Sequence, residues 1–291
     1  VSRGICAVTG ASGYVGARLV SHLADADWKI RALTRSRPGP GCSSLTPAHF
    51  ELGSDLEPAV LADVQALVHV AYDFAATRWR EIERVNVEGS HRLFAAARDA
   101  GVERIVLISS VAAFAGARSL YGRAKLEIER AAFDHGATVI RPGMVWGARG
   151  AAAFGALRRV VQRLSIVPLL VPADTSVSMV HEDDLALLVE RVLDGWPASS
   201  GQLLVAASAQ PVTFADLLES LGQAAGKRPR LVRLPWRAVW LVLRSLELLR
   251  LRAPFRSDSL ISLVAADSEP LAHATDSVER YGVRLRPYVL G

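Results

Sequence analysis

In the run Tyr121-Gly122-Arg123-Ala124-Lys125 a phenol and an ammonium stand four residues apart, so a helix places both on one face within contact range. An unperturbed tyrosine titrates near ~10 and accepts protons poorly at neutral pH, unless nearby positive charge favours the phenolate. At ~4 Å and an effective dielectric of ~20, a lysine stabilises a phenolate by roughly 4 kcal/mol before desolvation. The spacing therefore predicts a tyrosine brought into the range useful for general acid–base chemistry, with Lys125 as the group that lowers it. A second constellation, Thr9-Gly10-Ala11-Ser12-Gly13-Tyr14-Val15-Gly16, opens the chain. Here Gly10 allows a tight turn, Gly13 lets backbone approach a pyrophosphate, and Gly16 lets helix and strand pack closely. The helix that follows offers unpaired N–H groups and a partial positive charge to an anion.

The elements that must hold these residues follow from periodicity. Gly4–Val8 is a short apolar run, and Val15, Leu19, Val20 and Leu23 recur at helical spacing behind the glycine turn. Strands are expected at Trp28–Thr34, His49–Leu52, Ala66–Ala71, Arg104–Ser109, Ala137–Arg141 and Gln202–Ala206. Helices are expected over 79–100 and 121–135. Continuous apolar strands alternating with helices argue an α/β fold, a doubly wound parallel sheet covered on both faces. After Gly147 the rhythm breaks. Ala151–Leu164 and Thr213–Ala225 read as helices, Ser176–Val180 as a strand, and His181-Glu182-Asp183-Asp184 as an acidic helix start. No strand rhythm is evident after Lys227. We divide the chain into a dinucleotide-binding domain, residues 1–145 plus 176–206, and a smaller C-terminal substrate lobe, residues 146–175 plus 207–291.

The chain has 291 residues, 51% of them hydrophobic, and a formal net charge of +5. Its arginines are scattered, not gathered in a basic tract, which argues against nucleic-acid binding. Cys6 and Cys42 form neither a disulfide framework nor a metal-ligand spacing, and a reducing cytoplasm is the expected compartment. No secretory signal and no apolar run of spanning length is present. The segment from Pro235 to Arg252 is too hydrophobic for an ordinary surface helix. It suits packing in a core or dimer, a wall of an apolar pocket, or contact with a membrane surface.

The Thr9-Gly-x-x-Gly-x-x-Gly turn and the Tyr121/Lys125 pair resemble the extended short-chain dehydrogenase/reductase family, the NAD-dependent epimerases and dehydratases. Asn86-Val87-Glu88-Gly89-Ser90, Arg141-Pro142-Gly143-Met144-Val145-Trp146-Gly147 and Val180-His181-Glu182-Asp183-Asp184-Leu185-Ala186 resemble further motifs of that family. The resemblance implies a Rossmann fold and a nicotinamide cofactor, with Ser12, Gly13, Tyr14 and Val15 at its pyrophosphate. It also implies Asp55 and Leu56 near its adenine, and Ala71, Pro142 and Gly143 beside it. Tyr121 is implied as general acid/base, with Lys125 also holding the nicotinamide ribose. A hydroxyl after the fifth strand would polarise the substrate carbonyl. Ser110 is preferred and Ser109 is nearly equivalent, while the place where sugar-nucleotide enzymes carry this hydroxyl is Val111. Asn86 and His181 read as structural hydrogen-bonding residues.

The resemblance leaves three activities open: an oxidoreductase interconverting an alcohol and a ketone or aldehyde, a nucleotide-sugar epimerase or dehydratase, and a non-catalytic cofactor-binding scaffold. Where NAD enzymes place an acid after the second strand, this chain has Thr34, Arg35 and Arg37, which favours NADP(H). Positions where nucleotide-sugar relatives carry diphosphate-binding residues hold Met144 and Ser176-Val177-Ser178. Arg158, Arg159 and Arg163 could grip a phosphate from another direction. Trp146, Phe154, Leu164, Ile166, Leu169, Trp236, Trp240 and Phe255 suit an apolar substrate, loosely as in the 3β-hydroxysteroid dehydrogenase branch. A homodimer through the helices over 79–100 and 121–135 is expected, as relatives commonly form.

Overall fold

A computed structural model describes residues 3–35, 45–148, 152–171, 175–249, 251, 255–264 and 278–289. Arg37 and Cys42 lie outside the described residues. Six strands and their helices build the first half: β1 (Ile5–Thr9), α1 (Tyr14–Asp25), β2 (Lys29–Thr34), β3 (Leu45–His49), β4 (Val64–His69), α2 (Trp79–Ile82), α3 (Glu88–Asp99), β5 (Arg104–Ile108), α4 (Leu120–Asp134) and β6 (Thr138–Pro142). Then come β7 (Met144–Trp146), α5 (Ala152–Arg163), β8 (Ile166–Val171), β9 (Ser176–Val177), β10 (Met179–His181), α6 (Glu182–Asp194) and β11 (Leu203–Ala206). The remainder is β12 (Val212–Thr213), α7 (Phe214–Ala224), β13 (Arg230–Pro235), α8 (Trp236–Leu248) and α9 (Ser257–Val264).

Seven parallel strands form one sheet in the order β11-β6-β5-β4-β1-β2-β3. The period of two along a strand divides its side chains between two cores. Cys6, Val8, Ala66, Val68, Val106 and Ile108 face the core that α1 and α6 cover, while Ala7, Leu67, Ile105 and Leu107 face the one covered by α3 and α4. This is the doubly wound sheet read from the sequence. A third core joins Phe154, Val161 and Val167 to Leu217, Leu221, Leu243 and Leu260, and gives the C-terminal lobe its interior.

Several elements differ from the sequence reading: β8 had no expected counterpart, the strand expected at Ser176–Val180 divides into β9 and β10, and three further differences have clear causes. The third strand is Leu45–His49 rather than His49–Leu52, and it contains Pro47. Proline is tolerated there because β3 is the sheet edge and bonds only to β2. The helix expected over 79–100 is interrupted by a π turn, Glu83–Val87. That local slip buries Asn86, whose Oδ1 accepts from Asp73 N at 2.6 Å and whose Nδ2 donates to Asp73 O at 3.1 Å. A strand also exists after Lys227, since β13 pairs in parallel with β8. Its apolar residues, Leu231, Val232 and Leu234, do not alternate, and its exposed Arg230 and Arg233 hid it.

The motifs at the far end of the sheet turn out to be ties. His181 caps α6, its Nδ1 accepting from Asp183 N at 3.2 Å. Asp183 binds Arg18 of α1 at 2.7 Å, and the buried Asp184 accepts from Arg286 backbone and guanidinium. Arg286 thereby fastens the C-terminal segment to α6.

Candidate active site

The backbone segments that leave β1, β2, β4, β5 and β6 all end on one cleft of about 1500 Å³, whose opposite wall comes from the C-terminal lobe. Such convergence at the carboxyl edge of the strands is where an open α/β sheet binds ligands. Gly10, Ser12, Gly13, Tyr14 and Val15 line one part of it, Thr34 and Arg35 another, and Ala71, Pro142 and Gly143 the stretch between these and Tyr121. Asp55 and Leu56 line a small recess with Gly53, Arg92 and Ala96 that adjoins the cleft and shares Phe50 and Glu51 with it.

The glycine turn has the geometry its residues require. Gly10 adopts φ +65°, a conformation L side chains rarely take, and a Cβ at Gly16 would stand 2.1 Å from Gly10 O. Gly13 N donates to Gly10 O at 2.9 Å, which closes the turn. The first-turn N–H groups of α1 have no helical acceptors and border the cleft, so the turn fits a dinucleotide pyrophosphate.

A buried network fixes the floor beneath this turn. Thr9 Oγ1 accepts from Val70 N and Ala71 N at 3.0 and 3.1 Å, so its own hydrogen points to His69 Nδ1 at 2.7 Å. His69 Nε2 then donates to Ser90 Oγ at 2.9 Å, and Ser90 donates to Asn86 O at 2.6 Å. This assigns His69 as the neutral Nε2–H tautomer. Burial agrees, pushing its pKa down to about 3, with the Lys125 charge adding to the effect. The network welds the ends of β1 and β4 to α3. His69 and Ser90 carry it, and no spacing rule marks His69 in the sequence.

Ser119 caps α4 by accepting from Gly122 N at 3.0 Å. Two further first-turn donors, Leu120 N and Tyr121 N, go to Asp258 Oδ1 and Oδ2 at 2.8 and 2.9 Å. A carboxylate from α9 of the C-terminal lobe thus caps the helix that carries the tyrosine, a partnership across so much chain that no local pattern announces it. Tyr121 lies between the Tyr72 ring, edge-on at 5.0 Å, and the Phe74 ring, stacked at 5.8 Å.

The two candidate serines part company. Ser109 is buried and donates to Glu129 Oε1 at 2.5 Å, and Glu129 also takes a two-pronged grip from Arg141 at 2.8 and 2.5 Å. Ser110 is half-buried, lines the cleft with Tyr121, accepts from Ala112 N at 3.2 Å and acts to lower the Tyr121 phenol. Ser109 therefore belongs to the clamp that holds β5 and β6 against α4, and Ser110 is the hydroxyl available to a ligand. Glu129 stands one turn beyond Lys125, so the helical spacing that found the pair could also have found it.

The charge relations depart from the sequence reading. Burial pushes the Tyr121 phenol up to about 12, with Ser110 opposing it in part, so the phenol is protonated at neutral pH. Lys125 donates to Ile108 O at 2.9 Å and its ammonium lies 5.4 Å from the Tyr72 ring centroid. Burial brings it down to about 8 against the attraction of Glu129. Desolvation thus governs the Tyr121 phenol, and the opposing influence comes from Ser110 rather than from Lys125.

On the lobe side, Met144, Ser176, Val177 and Ser178 line the cleft, as do Phe154, Trp240 and Phe255. Trp146, Leu169 and Trp236 pack in or against the lobe core instead, and Leu164 and Ile166 are exposed on the surface. Arg158, Arg159 and Arg163 of α5 are not among the lining residues, while the Arg158 charge acts on Tyr14 of the glycine turn. Among the described residues no cluster of His, Cys, Asp and Glu could hold a metal ion, and no helix is long and apolar enough to cross a membrane.

Sheet order, glycine turn and cleft define a dinucleotide-binding protein of Rossmann type. The chain belongs to the NAD dependent epimerase/dehydratase family, whose model matches residues 6–195. It is 30% identical to a ceramide reductase of Caulobacter vibrioides over 247 residues, 80% of this chain and 74% of that protein. It is 31% identical over 167 residues to the 4-hydroxy-2-methyl-3-oxo-4-farnesyl-3,4-dihydroquinoline-1-oxide ketoreductase of Stigmatella aurantiaca, 48% of this chain and 50% of that one. Among solved structures, MoeE5 in complex with UDP-glucose and NAD shares the fold with a TM-score of 0.69 at 23% identity, over 80% of this chain and 85% of that chain.

Proposed function

We propose that this chain is a nicotinamide-dependent oxidoreductase that interconverts an alcohol and a ketone or aldehyde on a largely apolar small molecule. The observation that carries the reading is that Ser110, Tyr121 and Lys125 line one cleft, the phenol protonated, with Phe154, Trp240 and Phe255 on the far wall. NAD(P)H, when bound, supplies the hydride. In the reducing direction Ser110 donates a hydrogen bond to the substrate carbonyl oxygen and Tyr121 gives that oxygen its proton. Lys125 stabilises the resulting phenolate until solvent reprotonates it, and holds the nicotinamide ribose. In the oxidising direction the same phenolate accepts the alcohol proton. The names of the ceramide reductase and the farnesylated-quinoline ketoreductase describe carbonyl reduction on large apolar compounds, which supports the same direction and substrate class.

Arg35 favours NADP(H). It lies at the mouth of β2, two-thirds exposed, and pairs with Asp73 at a loose 3.8 Å. A 2′-phosphate can displace so weak a contact and take the guanidinium fork. Nucleotide-sugar epimerisation is the second reading, favoured by the UDP-glucose in the MoeE5 structure. Met144 and Ser176–Ser178 speak against it, because they offer a diphosphate no cation where they line the cleft. We further propose a cytoplasmic homodimer assembled through α2, α3 and α4.

The deciding experiment is turnover of Tyr121→Phe with NADPH and a hydrophobic ring ketone. The ring is kept and only the titrating oxygen is lost. The rate is expected to fall by ~10²–10⁴-fold with cofactor affinity nearly unchanged. Full activity in the variant overturns the assignment.

A further inference from the structure

Helix α8 is built the wrong way round for a helix on a water-facing surface. Leu243 is buried in the lobe core, and the flank holding Trp240, Arg244 and Glu247 forms part of the cleft wall. The outward arc should then be polar. It carries instead Leu241, Val242, Leu248 and Leu249, exposed by 61%, 60%, 70% and 69%. At 100° per residue these four occupy one stripe with Ala238 and Ser245, and Ser245 spends its hydroxyl on Leu241 O at 2.9 Å. The stripe is bordered on its cleft side by Arg237 and Arg244, which stand two turns apart.

Charge identifies what covers it. The surface leading into α8 and its first turn presents Lys227, Arg228, Arg230, Arg233 and Arg237, all exposed. From residue 227 to 249 the single acid is Glu247. That carboxylate is already held by Ser257 N and Oγ, both at 2.8 Å, and by Arg244 at 3.3 Å. A second copy of this chain would set such a basic rim against itself, whereas an anionic lipid surface complements it while its acyl region takes the leucines.

We propose that α8 lies in the headgroup boundary of an anionic phospholipid bilayer, with the leucine stripe inserted and the arginine border on the phosphates. The same helix walls the cleft, so docking turns the cleft mouth toward the membrane and gives an amphiphilic substrate a dry route to Tyr121. The docking itself does not depend on the redox reading, and a failure of either leaves the other standing.

The test is co-sedimentation of the full chain with vesicles of phosphatidylcholine and of equimolar phosphatidylcholine and phosphatidylglycerol. The anionic vesicles are expected to bind on the order of tenfold more protein or better, and about 0.5 M NaCl should remove most of that excess. Leu241→Asp/Leu248→Asp should abolish binding while NADPH affinity and melting temperature stay near wild type, because neither residue lines the cleft. Arg237→Glu, a milder change, should lower anionic-vesicle binding several-fold. Failure of the wild-type chain to bind anionic vesicles overturns the proposal, whatever the variants do. So does undiminished binding by the double variant. Sedimentation velocity without lipid provides the last arm: a dimer that the double variant converts to monomer makes the stripe a self-interface and overturns the proposal too.

Discussion

Lys125→Met should make this protein more stable and less active. The ammonium is 3% exposed, and burial moves its pKa from 10.5 to about 8. At ~1.4 kcal/mol per unit, keeping it charged in the free protein at neutral pH costs on the order of 3 kcal/mol. Methionine fills similar space without charge and gives up one hydrogen bond, to Ile108 O, at roughly 1–2 kcal/mol. Glu129 keeps Arg141 and Ser109, so no carboxylate is stranded. The balance is a gain of about 1–2 kcal/mol, a rise of a few degrees in melting temperature for a chain of this size.

The pH dependence makes the argument refutable. Folded Lys125 loses its proton near pH 8 and unfolded lysine near 10.5, so between these values the unfolded chain binds more protons and wild-type stability rises with pH. Below pH 8 the penalty is fully present. Melting curves of the two proteins across pH 7 to 10 should therefore show the advantage of the variant largest at pH 7 and gone, or reversed, near pH 10. A variant that melts lower at pH 7, or whose advantage ignores pH, refutes the reasoning. Its turnover should fall along with its affinity for NADPH.

The two serines separate by different readouts. Ser110→Ala should lower kcat by ~10-fold or more with melting unchanged, whereas Ser109→Ala should lose about 1–3 kcal/mol of stability by stripping a donor from the buried Glu129, seen in urea unfolding. Gly16→Ala should abolish cofactor binding or folding, because its Cβ meets Gly10 O at 2.1 Å; a normal NADPH titration would contradict this. Arg35→Ala should weaken NADPH by roughly tenfold, as expected for a partly exposed charge-assisted contact, and leave NADH unchanged; equal constants for both cofactors in wild type would sink the NADP(H) preference.

What was legible in the sequence is what depends on short separations. Gly10, Gly13 and Gly16 stand in one turn, Tyr121 and Lys125 one helical turn apart, and the alternation of Cys6-Ala7-Val8 between two cores is a property of a single strand. What was not legible depends on competition or on distance. The Tyr121 phenol goes up rather than down because desolvation, which scales with burial, exceeds the opposing influence of Ser110, and Lys125 is itself desolvated. Ile166 reaches the surface at the start of β8, which bonds only to β13, and Leu164 does so just past the end of α5.

The contacts around Tyr121 tie its helix to the C-terminal segment and to the loop after β4. Asp258 of α9 caps α4 at Tyr121, Ser257 beside it binds Glu247 of α8, and Arg256 donates to the carbonyls of Phe74 and Ala76 in the segment after β4. That segment is pinned at Asp73 by Asn86, and Phe74 stacks on Tyr121. The short run Arg256-Ser257-Asp258 therefore touches the catalytic helix, the loop over its tyrosine and the helix that walls the cleft, all through hydrogen bonds that tolerate little displacement. Side chains that face the cleft from α8 and α5, such as Trp240 and Phe154, can change size without entering this circuit. On the proposed reading, substrate shape follows from residues outside the circuit and the position of the phenol from residues within it.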